Sequence, residues 1–202
     1  MQAPGGLSRR GLLVAVGAAV GAVTLTTVGQ TVGPLRRLDL LAPRRPDIGP
    51  QGFPVNRTAA AAAVLRSARD PGYRLVVAGP RPFSLSRDEL AALPQHEVEL
   101  PITCVEGWSA TARWRGVRLR ELLDRAGAGP DAQARLVSLE RSGIYTTSIV
   151  GRPHARDELT LLALEVNGAP LALDHGYPLR LIAPNRPGVL QTKWVHRVEV
   201  LP

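Results

Sequence analysis

This chain has no second cysteine. Cys104 stands alone among 202 residues, which excludes an internal disulfide and any zinc site built on paired cysteines. A lone thiol is an inert core residue, a reactive group, or a single thiolate ligand to a metal carried by something else. Aromatic side chains are scarce, at three Trp, three Tyr and two Phe, which is poor material for base-stacking platforms. Lysine is almost missing too: every basic residue is arginine except Lys193. These cations are dispersed with no dense run, so the net charge of +8 argues for an anionic cofactor or a membrane surface rather than a nucleic-acid footprint. There is no P-loop, no Gly-x-Gly-x-x-Gly and no Cys-x-x-Cys-His haem motif. Gly107-Trp108-Ser109-Ala110-Thr111 lacks the final glycine of a nucleophile elbow.

What is present supports one globular domain plus a tail, since 45% of the residues are hydrophobic. Ser8-Arg9-Arg10-Gly11-Leu12-Leu13 opens a stretch without charge from Gly11 to Leu35, long enough to span a bilayer as a helix. The arginine pair followed by an uncharged run resembles a twin-arginine export signal. No small-x-small cleavage site stands out after Thr31, which favours an uncleaved anchor over residues 1–35. Loop charge points the other way: Arg36, Arg37, Arg44 and Arg45 outnumber Arg9 and Arg10. The twin-arginine pattern outweighs that count, because a substrate exported folded is not sorted by loop charge. Residues 36–57 read as a linker, with Pro43, Pro46, Pro50, Pro54, Gly49 and Gly52 opposing regular structure.

Residues 58–202 read as a mixed α+β domain. Thr58 caps an expected helix from Ala59 to Arg69, ended by Asp70-Pro71-Gly72. Ser86-Arg87-Asp88-Glu89 is a capping box for a short helix stopping at Pro94. Leu119, Leu122, Leu123 and Ala126 follow helical spacing, with Gly127 placed to end it. Strands are expected at 73–77, 96–100, 136–139, 146–150, 179–183 and 194–201, and a further helix from Glu158 to Val166 before the Asn167-Gly168 turn.

Two constellations carry chemistry. His96-Glu97-Val98-Glu99-Leu100 delivers the chain to Cys104 at the mouth of a Gly-Trp loop, where ligands are presented on rigid scaffolds. His175-Gly176-Tyr177-Pro178-Leu179-Arg180, with Gly188 and Gln191-Thr192-Lys193-Trp194, brings an arginine fork, a lysine point charge and a glycine that permits close approach. That set suits a phosphate. Taken separately, each has a bland alternative: a buried structural cysteine, and a hairpin with solvated charges. His96, His154 and His196 are isolated and read as structural.

Cys104-Val105-Glu106-Gly107-Trp108-Ser109, then Trp114-x-Gly116-Val117-x-Leu119 with Leu122-Leu123, then His175-Gly176-x-Pro178-Leu179-Arg180 and Lys193-Trp194-Val195, together resemble the molybdopterin-binding domain of the sulfite oxidase family. The resemblance runs from about Val55 to Val200. It is closer to the branch containing the bacterial periplasmic methionine-sulfoxide reductase catalytic subunit. It implies a mixed-sheet molybdopterin-binding fold and a Mo-molybdopterin cofactor. Cys104 would supply the one protein thiolate to molybdenum, a soft donor suited to such a metal. It further implies cofactor contacts from Asn56, Arg141, His175, Arg180, Gln191, Thr192 and Lys193. Tyr145 either lines the substrate pocket as a proton donor or packs at a strand start. Glu106 is expected as a hydrogen-bond partner within the loop.

This sequence departs from the family pattern in two ways. Sulfite oxidases carry arginines soon after the cysteine, where this chain has Trp108, Ser109 and Ala110, which puts sulfite oxidation in doubt. The resemblance also stops before any immunoglobulin-like dimerisation domain. The implied activity is a two-electron oxygen-atom transfer, with reduction of a small or protein-bound sulfoxide-like substrate favoured. Electrons would pass through a membrane cytochrome or quinone-linked subunit at the extracytoplasmic face. The alternatives are a catalytically silent cofactor-binding module and a structural extracytoplasmic domain.

Overall fold

The computed structural model describes residues 9–27, 49–143 and 145–202. Ser8, Arg36, Arg37, Pro43, Arg44, Arg45 and Pro46, on which expectations fell, lie outside the described residues, as do positions 28–35 of the expected span. The chain divides into two compact units, Met1–Arg45 and Pro46–Pro202. In the first, α1 covers Arg9–Thr27. Its Leu12, Leu13, Val14, Val16, Val20 and Val23 are exposed. Among the described residues, no helix is long and apolar enough to cross a membrane.

The second unit is a mixed α+β domain of two five-stranded sheets. One runs β2 (Phe83–Ser86), β1 (Arg74–Ala78), β10 (Val195–Leu201), β5 (Gln133–Ser138), β6 (Thr147–Val150). Its β1–β10 pair is parallel and its other pairs are antiparallel. The other sheet contains β3 (His96–Thr103), β4 (Ser109–Arg118), β7 (Leu161–Val166) and β8 (Ala169–Pro170), with β9 (Arg180–Ile182) also on β7. Short helices α2 (Leu65–Ala68), α3 (Arg87–Ala92), α4 (Leu119–Arg125) and α5 (Arg152–Ala155) join the strands. The Ser86/Glu89 capping box is complete in both directions. Leu119, Leu122 and Leu123 form the buried stripe of α4.

The main core joins the sheets: Leu75, Val77, Leu136 and Val198 of the first meet Leu162, Leu164 and Leu181 of the second, under α3 and α4. A second core lies on the other face of β3, β4 and β7, around Phe53, Ile102, Cys104, Trp108 and Trp114. A third surrounds Trp194 with Ala59, Ala62, Val64 and Ala68. The second sheet is thus covered on both faces, and Cys104 sits in its outer layer.

Two expected elements differ. The helix expected over Glu158–Val166 is β7. Leu161-Leu162-Ala163-Leu164 is buried throughout, because β7 is a central strand with a core on each face. Such a strand reads as a continuous apolar run rather than an alternating one, and short apolar runs are ambiguous between helix and strand. The helix expected over Ala59–Arg69 is a turn followed by the four-residue α2. The break is at Ala63, whose φ is 55°. Ala59 and Ala62 do not share a straight helical stripe with Val64 and Ala68, and the break lets both pairs reach Trp194.

From Gly49 the described chain is held against the sheet. Phe53 is 1% exposed. Gln51 donates to the Pro170 carbonyl and accepts from the Ala172 amide at 2.9 and 2.8 Å.

Candidate functional site

The β3–β4 hairpin is closed by Cys104-Val105-Glu106-Gly107-Trp108. Cys104 and Trp108 form its neck, the Cys104 amide donating to the Trp108 carbonyl at 2.9 Å. Trp108 points into the second core, and its indole N–H donates to Glu106 Oε2 at 3.2 Å. Glu106 therefore makes the expected bond within the loop. Cys104 is 5% exposed, and it lines a cleft of about 380 Å³ together with Asn56, Tyr145, Gln191, Thr192 and Lys193. A narrower inner recess continues past Cys104 to His175 and Arg180, sharing Asn56, Gly188 and Lys193 with the outer cleft.

Arg180 begins β9 and is 2% exposed. Its Nη1 donates to the His175 carbonyl at 3.0 Å, and its guanidinium lies 5.4 Å from the Trp114 ring centre. Its Nε is buried without a partner, and among the described residues no carboxylate pairs with it. The contrast with the sheet surfaces is sharp, where Arg115 meets Glu165 and Arg135 meets Glu199, each at 3.1 Å. A buried unpaired cation is costly. Burial pushes the Arg180 guanidinium down to about 9.

Lys193 is the second cation of the recess. Its Nζ donates to the carbonyls of Asp174 and Arg57 at 2.7 and 2.9 Å. Burial, with the repulsion of Arg180, pushes it down to about 7. His175 stacks on Phe53, with ring centres 3.9 Å apart, and its Nε2 lies 2.6 Å from the Pro50 carbonyl. A carbonyl only accepts, so Nε2 carries the proton. Burial holds the imidazole at about 4. At neutral pH, Nδ1 is then a buried acceptor without a partner.

Gly188 lets the roof approach Cys104 closely: a Cβ there would sit 3.0 Å from the Thr103 carbonyl oxygen. Thr192 is held by Ser148, hydroxyl to hydroxyl at 2.7 Å. Gln191 donates to the Arg186 carbonyl at 2.9 Å, leaving its own Oε1 buried without a partner.

Of the expected site residues, Asn56, Cys104, Tyr145, His175, Arg180, Gln191, Thr192 and Lys193 line this one cleft and recess. Arg141 lines a separate groove with His196. Arg57 and Glu140 carry no sequence signal and were not anticipated. Glu140 is 8% exposed and accepts from Arg57 Nε at 2.8 Å, which fixes the segment whose carbonyl holds Lys193. Ser138, at the end of β5, is also part of the wall. Its hydroxyl donates to the Lys193 carbonyl at 2.8 Å. The available hint was position alone, since strand ends are where sites are built.

Comparison with known proteins agrees with this geometry. The family model described as oxidoreductase molybdopterin binding domain matches residues 62–202. A mitochondrial sulfite oxidase of Mus musculus is 33% identical over 157 residues, covering 63% of this chain and 29% of that protein. A putative protein-methionine-sulfoxide reductase subunit, YedZ1, of Azospira oryzae is 33% identical over 138 residues, covering 67% of this chain and 52% of that protein. The chain thus spans about a third to a half of these relatives. Among solved structures, the sulfane dehydrogenase SoxCD from Paracoccus pantotrophus superposes with a TM-score of 0.65 at 24% identity, over 79% of this chain and 45% of that one, a likeness of fold.

Proposed function

Because this chain belongs to the oxidoreductase molybdopterin-binding domain family, whose cofactor is Mo-molybdopterin, we propose that the cleft at Cys104 performs two-electron oxygen-atom transfer. The favoured direction is reduction of a small or protein-bound oxo substrate. The observation that carries this reading is Arg180, a buried guanidinium with a free Nε and no carboxylate partner among the described residues. Such a group calls for an anion, and the phosphate end of the cofactor is one.

The residues present fit the cofactor. Arg180 and Lys193 are donors for a dianionic phosphate. His175 Nδ1 and Gln191 Oε1 are buried acceptors lacking donors, which N–H groups of a pterin would satisfy. Gly188 lets its loop pack against Thr103, next to Cys104, where a Cβ would crowd the Thr103 carbonyl oxygen at 3.0 Å. Cys104 offers the single soft sulfur donor for the metal. When bound, the cofactor supplies a metal centre that exchanges an oxygen atom and two electrons. The protein's part is to hold and orient it. Glu140 fixes Arg57, Arg57 and Asp174 fix Lys193 through their carbonyls, and Phe53 fixes the His175 ring. Tyr145 faces the outer cleft and is 45% exposed, in reach of a substrate there as a phenolic proton donor.

A neutral, sulfoxide-like substrate fits better than an anion. Trp108, Ser109 and Ala110 stand where the resemblance expects arginines in sulfite oxidases, and of the arginine and lysine lining the cleft, Arg57 is already paired with Glu140. The similarity to the Azospira reductase subunit supports the same direction. We further infer that Arg9-Arg10 and the uncharged run after them direct the domain to the extracytoplasmic face. There a membrane electron-transfer subunit would serve it.

Molybdenum analysis of the purified chain, with turnover of a sulfoxide by an artificial donor, tests this reading. About one molybdenum per chain together with turnover is expected. Metal-free protein from cofactor-replete cells overturns the cofactor assignment. Metal-loaded protein that turns over neither sulfoxide nor sulfite overturns the catalytic one.

A further inference from the structure

We propose that the domain's second groove docks an acidic, partly apolar polypeptide segment of a partner protein. This groove encloses about 1080 Å³, against about 380 Å³ for the cofactor cleft. Its lining includes Arg66, Arg69 and Arg141, together with the apolar Ala62, Leu65 and Leu139. Among the described residues none of these three arginines has a carboxylate partner, whereas several arginines elsewhere on the domain, such as Arg115, Arg120 and Arg135, meet glutamates. Among the described residues the one acid in the lining is Asp70, which accepts from the Gly72 amide at 2.8 Å and belongs to the turn after α2. Burial and the neighbouring Arg197 and Arg141 hold His196 below the usual imidazole range, so its environment is cationic as well.

Shape and composition select among anions. No phenylalanine, tyrosine or tryptophan lines the groove, so nucleic-acid bases have nothing to stack on. It is concave, which suits an inserted chain better than a bilayer surface. A lining that mixes arginines with apolar side chains matches a segment that alternates acidic and apolar side chains. Ala63, which lines the groove, has φ 55° and breaks the helix that an alanine-rich run would otherwise make. A left-handed alanine is strained by about 1 kcal/mol, and such strain concentrates at functional positions.

The groove adjoins the Cys104 cleft. Ser138 lines both, and its hydroxyl holds the Lys193 carbonyl. The Leu139 amide donates to the Trp194 carbonyl at 2.8 Å. A docked partner would therefore sit next to the redox site, at the end of β5.

A short fluorescein-labelled peptide alternating glutamate and leucine is the probe, titrated into the full chain by fluorescence polarisation. Binding is expected, weakened by raising salt from about 0.02 to about 0.2 M. The doubly substituted Arg66→Glu/Arg69→Glu chain should bind at least about tenfold more weakly. Arg113→Glu/Arg115→Glu reverses as many charges on β4, outside the groove, and should leave binding unchanged. The idea is overturned by any of three results: no binding, equal loss in both double variants, or equal binding of a lysine–leucine peptide. Phosphatidylserine vesicles or an oligonucleotide captured through Arg66 and Arg69, with no peptide binding, would also overturn it. None of these readouts depends on molybdenum or turnover, so failure here is distinct from failure of the oxidoreductase reading.

Discussion

Arg180 and Cys104 divide the work of the recess, and their substitutions should behave differently. Arg180→Met removes a buried charge that has no carboxylate among the described residues. In cofactor-free protein its urea-denaturation stability should be unchanged or higher by up to about 2 kcal/mol. Cofactor retention should drop about tenfold to a hundredfold, the worth of hydrogen bonds to a charged group. Loss of stability in the empty protein would contradict this account. Cys104→Ser should abolish turnover while leaving most of the pterin bound, as read by activity and by pterin fluorescence after release. Protonation adds a signed expectation. His175 is held at about 4, against an ordinary value of 6.5, so between those pH values the unfolded chain binds a proton that the folded chain refuses. Stability of the cofactor-free protein should therefore fall as pH drops from about 6.5 to about 4, by roughly 2–3 kcal/mol. In His175→Gln that slope should flatten. Lys193, lowered to about 7, gives the complementary trend: phosphate affinity of the empty site should decline as pH rises above about 7, with proton uptake on binding visible by calorimetry in different buffers.

Elements place these residues through close backbone approach. Gly116 sits where β4 shifts register against β7, and a Cβ there would lie 2.1 Å from the Leu162 carbonyl oxygen. Around it β4 presents Trp114 to the second core and Val117 to the main core, on opposite faces of the strand. Gly116→Ala should thus destabilise by about 2–4 kcal/mol in urea, because backbone rather than a flexible side chain must move. Gly188→Ala is milder: its Cβ would lie 3.0 Å from the Thr103 carbonyl oxygen and 3.4 Å from Ile102 Cγ1. It should leave global stability within about 1 kcal/mol while lowering cofactor retention, since the roof alone is lifted.

For the whole molecule, binding linked to folding gives the clearest prediction. A cofactor bound only by the folded domain raises stability by about 4 kcal/mol when free ligand is a thousandfold above its dissociation constant. Cofactor-loaded protein should therefore melt well above empty protein, and Arg180→Met should narrow the gap. The amino-terminal unit is tested separately. A reporter that functions only outside the cytoplasm, fused to residues 1–48, should be active and should lose activity when Arg9 and Arg10 are both changed to lysine. An inactive parent fusion would refute export.

Much was legible because it rests on local chemistry or on residue types at fixed positions. The capping box at Ser86, the apolar stripe of α4 and the alternation of β3 need only neighbours a few residues away. The lone thiol and the ordered His175, Arg180 and Lys193 marked out both halves of the site. Other features belonged to the tertiary structure. Leu161-Leu162-Ala163-Leu164 is a strand because two cores close on it, which no short window encodes. The alanine run breaks at Ala63 because Trp194, more than a hundred residues onward, gathers both of its faces. Glu140 joins the site through a pairing with Arg57 across 83 residues. Above all, residue types named an arginine and a cysteine, but only packing made that arginine buried and unpaired beside the thiol. Burial, which turns a common surface charge into a demand for an anion, is a property of the assembled fold.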